Sequence, residues 1–98
     1  MVTGYKVRYL LGVKLSKEEY SKGKKDGLSE NFFENGLLRS RENFKDGKKD
    51  GTWTSWWDSK KELKEMQGSY RQGKMVDKWF FYDPNGNLKE IRYFSPTF

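Results

Sequence analysis

The side chains that do most enzymatic and metal chemistry are missing here: the chain contains no histidine and no cysteine. The commonest general acid/base is therefore absent, and a structural zinc site is excluded with it. Carboxylate pairs remain, Glu18 beside Glu19 and Glu62 near Glu65. Neither lies beside a pocket-forming stretch, so both read as solvated surface rather than as an acid/base pair. Asp26, Asp50 and Asp77 recur at equivalent positions, as the rungs of a calcium ladder would. Each has a lysine as its neighbour, however, and side-chain hydrogen bonds within turns account for aspartate there. The Gly-Lys dipeptides at Gly23, Gly47 and Gly73 are not phosphate-binding loops, since none continues into Ser or Thr ahead of a helix. No catalytic residue, no metal ligand and no cofactor is expected.

What the chain does repeat is rings and ammonium groups. Gly47-Lys48-Lys49-Asp50-Gly51-Thr52-Trp53-Thr54-Ser55-Trp56-Trp57 has an upstream counterpart, Gly23-Lys24-Lys25-Asp26-Gly27-Leu28-Ser29-Glu30-Asn31-Phe32-Phe33. Downstream stands Gly73-Lys74-Met75-Val76-Asp77-Lys78-Trp79-Phe80-Phe81-Tyr82, so the unit recurs at intervals of 24 and 26 residues. A period of that size dictates architecture. Aligned by copy, Ser29, Trp53 and Trp79 share one register, and Phe32, Trp56 and Tyr82 share another three positions later. An odd offset on a strand places the two columns on opposite faces, one for a core and one for contact. The candidate binding residues are therefore Trp53, Trp56, Trp57, Trp79, Phe81 and Tyr82, with Lys24, Lys25, Lys48, Lys49 and Lys74.

The elements that must carry these residues read as hairpins. Strands are expected over 28–33 and 37–44, joined by a tight Glu34-Asn35-Gly36 turn, and again on either side of Asp83-Pro84-Asn85-Gly86. Asn-Gly between apolar runs signals a type I′ turn, which needs positive φ at both central residues. The middle copy has Asp58-Ser59-Lys60-Lys61 instead, so a longer loop or a bulge is expected. Connections over 22–27, 45–51 and 71–78 hold most of the lysines and would line one long edge about 10 Å apart, two strand spacings. Residues 1–19 read as a degenerate capping copy: Tyr5-Lys6-Val7-Arg8-Tyr9 alternates like a half-buried strand, and Ser16 to Glu19 competes as a helix cap. The composition agrees with a sheet, with 17% aromatic residues and no alanine. The fold expected is all-β, an elongated antiparallel meander of stacked hairpins. It forms one repeat domain, 1–98, with copies at 20–43, 44–69 and 70–94 and a tail at 95–98.

The net charge of +6 favours anionic partners. The longest apolar run near the start, Tyr9-Leu10-Leu11-Gly12-Val13, is too short for a secretory signal, and a cytoplasmic protein is expected. The unit G-K-x-D-G-x-W-x-x-[WY]-[DE]-x-N-G-x-L, spread over 23–38, 47–63 and 73–88, resembles the bacterial variant of the MORN repeat. That resemblance implies an open β-meander without catalysis, acting as an interaction platform. Bacterial members are antitoxin-like, and MORN proteins at large are associated with protein assembly and anionic lipid. Leu28-Ser29 in place of Thr52-Trp53, and Lys60-Lys61 in place of Asn-Gly, depart from the pattern. The partner expected first is another protein, bound and inhibited through the aromatic face and the lysine edge. Nucleic acid or nucleoprotein ranks second, and an anionic membrane surface third. A homodimer through open sheet edges is a further expectation.

Overall fold

Alternating side chains and turn residues at short intervals produce eight strands in the computed structural model, which describes residues 3–95. They are β1 (Gly4–Leu10), β2 (Val13–Ser21), β3 (Lys24–Phe32), β4 (Leu38–Lys45), β5 (Lys48–Trp56), β6 (Lys64–Arg71), β7 (Lys74–Tyr82) and β8 (Leu88–Phe94). Each strand pairs antiparallel with its neighbours in the chain, giving one sheet in the order β1 to β8. The molecule measures 41 × 39 × 12 Å, so it is a single layer. The all-β meander is what the period predicts. Ser16 to Glu19 lies within β2, so the strand reading prevails over the helix cap.

The turns are reversed relative to expectation. Asn35 and Asn85 do not take positive φ; only the glycines after them do, Gly36 at 88° and Gly86 at 90°. Phe33 N donates to Leu37 O at 2.8 Å and Gly36 N to Phe33 O at 2.9 Å, and Asp83, Gly86 and Asn87 repeat the pattern. These are three-residue loops built on a type I turn and closed by a left-handed glycine. Side chains select them: Asn35 Oδ1 accepts from Leu37 N, and Asp83 Oδ1 accepts from Asn85 N and Asn87 N. The tight two-residue turns with positive φ at both positions are Lys22-Gly23, Asp46-Gly47 and Gln72-Gly73, with Leu11-Gly12 between β1 and β2. In the middle copy residues 57–63 form the longer loop, and Glu62 takes the left-handed place that glycine holds elsewhere.

The connections expected over 22–27, 45–51 and 71–78 are therefore too long. β3, β5 and β7 begin immediately after the two-residue turns, and Gly27, Gly51 and Asp77 sit inside them at bulges, with φ of 101°, 106° and 62°. Register shifts there leave Glu18/Tyr20, Glu42/Phe44 and Gln67/Ser69 facing extra residues on the next strand. A second set of shifts follows Arg8, Asn31, Ser55 and Phe81. The second set recurs in the β1–β2 hairpin, which shares that bulge with the other copies but closes by the shorter Leu11-Gly12 turn.

With one layer, burial depends on neighbours within a face. Among the described residues the buried apolar side chains are Val76 and Trp79, the latter 0% exposed. Rings pack edge to face in a row from β5 to β8: Trp53 to Tyr70 at 6.0 Å, Tyr70 to Trp79 at 5.1 Å, and Trp79 to Phe94 at 6.4 Å. Gly68 makes room for this, since a Cβ there would run into the Trp79 indole ring. Trp79 Nε1 donates to Ser69 O at 3.1 Å. Toward β2 the same face turns polar. One row of opposed residues runs Lys6, Glu18, Ser29, Glu42, Trp53 and Gly68, in which Glu18 and Ser29 are buried.

Candidate interaction surface

The Lys22-Gly23, Asp46-Gly47 and Gln72-Gly73 turns stand in a rank because the second and third are each bonded to the copy before. Gly47 N donates to Lys25 O at 2.8 Å, and Gly73 N to Lys49 O at 2.7 Å. Lys24, Lys48 and Lys74 open β3, β5 and β7 beside these turns, and all three are exposed. A shallow recess of about 410 Å³ lies among Lys24, Lys45, Asp46, Lys48, Asp50 and Gln72.

Lys25 and Lys49 behave differently, because they point back over the ring face. Lys25 Nζ lies 3.6 Å from Glu18 Oε2 and 4.9 Å from the Phe44 ring centre. Lys49 Nζ lies 3.8 Å from Glu42 Oε2, 4.7 Å from the Trp53 ring and 5.0 Å from the Tyr70 ring. Both lysines thus serve intramolecular cation–π and ion-pair contacts, and the free edge is narrower than the sequence suggests.

The two carboxylates they approach differ in environment. Burial pushes the Glu18 carboxyl up, but the Tyr20 hydroxyl at 2.7 Å, Lys25, Arg8 and Ser16 outweigh it, so its pKa falls below the ordinary range. Glu42 goes the other way: burial holds its pKa up, and Lys49, Lys25 and the Asn31 amide offset only part of that. Its Oε2 accepts no hydrogen bond among the described residues.

Among the predicted rings, Trp79 is corrected outright: with no exposed surface it is core and cannot touch a partner in this conformation. Trp53 is half-buried under Lys49 and beside Tyr70. Trp56, Trp57, Phe81 and Tyr82 are also half-buried. Trp56 and Trp57 line a cleft of about 220 Å³ with Leu37, Leu38, Arg41 and Glu62. Arg41 neighbours Glu42 and pairs with Thr54, whereas Glu42 pairs with Trp53. Alternation therefore puts this cleft on the face opposite Trp53, but the odd offset does not fully separate the rings, since Trp56 and Trp57 also border a recess of about 420 Å³ with Trp53. The indole N–H groups of Trp53 and Trp57 are buried without an acceptor among the described residues.

The carboxylates singled out by sequence do not converge. Glu18 and Glu19 are adjacent in β2 and face opposite ways, and Glu65 accepts from Ser55 Oγ while Glu62 sits in an exposed loop. Among the described residues no group of His, Cys, Asp or Glu is placed to hold a metal ion. Sequence reading missed Glu42, Gly68 and the Leu11-Gly12 turn. The spacing of 24 residues between Glu18 and Glu42 was the available signal.

Comparison with known families bears on this geometry. Two segments match the MORN repeat variant. They are residues 25–46 and 78–95, which take in most of β3–β4 and of β7–β8. The MORN repeat is a general, non-catalytic repeat module. The middle hairpin, with its longer 57–63 loop, lies mostly outside both segments. No curated protein and no solved structure matches the chain. Among the described residues no helix is long and apolar enough to cross a membrane.

Proposed function

We propose that this chain is a non-catalytic module that docks an acidic surface of a partner protein along the Lys24, Lys48 and Lys74 edge and, in the manner of an antitoxin, blocks that partner. The observation that carries this reading is the bonding of successive turns at 2.8 and 2.7 Å. It fixes the spacing of the turns from which the three lysines project, so a matching row of carboxylates binds without first ordering a loop. Trp56 and Trp57, half-exposed around their cleft, supply ring anchors of the kind that dominate interface energies. Two of the stacking platforms that a nucleic-acid reading requires are otherwise engaged, Trp79 being buried and Trp53 packed edge-on to Tyr70.

The test is affinity capture from the native host with nuclease treatment, followed by calorimetry on the captured protein. Lys24→Glu, Lys48→Glu and Lys74→Glu together are expected to weaken binding by about tenfold or more, and Trp56→Ala by about tenfold, both with an unchanged circular dichroism spectrum. Recovery of nucleic acid alone, or binding only to anionic vesicles, overturns the reading.

A further inference from the structure

The large apolar side chains left exposed among the described residues all belong to the two outermost strands and the turn after β1. They are Tyr5, Val7, Tyr9, Leu10 and Leu11 at one end, and Leu88, Ile91 and Tyr93 at the other. Both ends also present a full strand edge, β1 having only β2 as neighbour and β8 only β7. An edge of this kind, apolar and unpaired, is a template for another strand.

The backbone of β1 points to which strand. Gly27 and Gly51 hold positive φ at bulges that face the preceding strand, and each does so against a side chain of that strand. A Cβ on Gly27 would meet the Glu19 carboxylate, and one on Gly51 would lie 3.3 Å from Asn43 Cβ. Gly4 occupies the same place in its copy: it pairs with Tyr20 as Gly27 pairs with Phe44 and Gly51 with Tyr70. It too has positive φ, 119°, yet among the described residues nothing lies within 4 Å of where its Cβ would be. β1 therefore carries the geometry that receives an even-numbered strand, with the receiving space open.

The even-numbered strand with a free edge is β8. We infer that copies of this chain associate head to tail, β8 of one molecule pairing antiparallel with β1 of the next in the register that joins β2 to β3 and β4 to β5. By that register Glu90 stands where Ser16 and Ser40 do, and Arg8 where Asn31 and Ser55 do. The pairs created are Glu90 with Arg8, Ile91 with Val7 and Arg92 with Lys6. The first is an ion pair. The second joins two apolar side chains now 38% and 37% exposed. The third is a like-charge pair, which opposes association. Tyr93 falls where Glu19 and Asn43 do, over the bare backbone of Gly4, beside Tyr5. A contact between two different edges leaves one edge of each kind free on the pair, so association continues past a dimer as concentration rises.

Light scattering on size-exclusion fractions of the intact chain, over a wide concentration range, tests this. The wild type is expected to gain mass continuously with concentration. Val7→Lys and Ile91→Lys are each expected to be monomeric with an unchanged circular dichroism spectrum. Their equimolar mixture is expected to form a 1:1 dimer that grows no further, because one supplies an intact β8 and the other an intact β1. Glu90→Arg is expected to weaken association, and Arg8→Glu in the same chain to restore it. A wild type that is monomeric throughout, a single variant that still dimerises by pairing like edges, or a mixture that stays monomeric overturns the inference.

Discussion

Glu18 and Glu42 occupy the same place in successive copies, and their neighbours give them opposite effects on stability. Because the folded pKa of Glu18 is lowered, its contribution is fully present above the ordinary carboxylate value and is lost as pH falls through the folded one. Glu18→Gln is expected to cost about 1 to 2 kcal/mol at pH 7 and to cost little in acid, as measured by urea unfolding across pH. The folded pKa of Glu42 is raised, so the folded state holds its proton longer and stability declines as pH rises from the ordinary value through the folded one. Glu42→Gln is expected to remove that decline and to leave the protein at least as stable as the wild type at pH 7, read by the same urea unfolding across pH. At the third equivalent place stands Gly68, where the requirement is space. Gly68→Ala sets a methyl against Trp79 and is expected to cost about 1 to 3 kcal/mol by overpacking, read as a lowered urea midpoint.

At the level of elements, the hairpins are set by where positive φ is tolerated. Lys22, Asp46 and Gln72 each take the first left-handed position of a two-residue turn, at 52°, 50° and 49°. Asparagine is the residue that suits this position best, and none of the three turns has it. Gln72→Asn is expected to stabilise by about 0.5 kcal/mol, seen as a small rise in Tm without change in the sheet spectrum. The Asn-Gly dipeptides that do occur are used elsewhere, in loops where only the glycine is left-handed. The dipeptide is legible in the sequence. Its turn type is not, because the Asn35 and Asp83 side chains bond to the loop backbone and favour a wider closure.

For the whole molecule, each strand packs only on its neighbours, so stability is expected to vary along the array. The edge-to-face rings span β5 to β8, and Val76 and Trp79 are both in β7. From β2 to β4 the same face is filled by Ser16, Glu18, Ser29 and Ser40. Native-state hydrogen exchange is therefore expected to find the slowest amides in β6 and β7 and the fastest of the strands in β1. Equal protection across all eight strands contradicts this account.

The repeating Gly-Lys and aromatic spacing was enough by itself to determine an all-β meander, the order of its strands, and the collection of the Gly-Lys turns on one edge, though not which lysines stay there, since Lys25 and Lys49 fold back over the ring face. A local pattern suffices there, because each hairpin closes within its own copy. Which rings are surface and which are core was decided in three dimensions. Trp79 lies buried because Gly68, eleven positions earlier, leaves room for it, and Trp53 is half-covered because Lys49 folds back over it. Such outcomes depend on bulges that reset register between strands and on the side chain opposite. Neither is specified by the residue whose fate they settle.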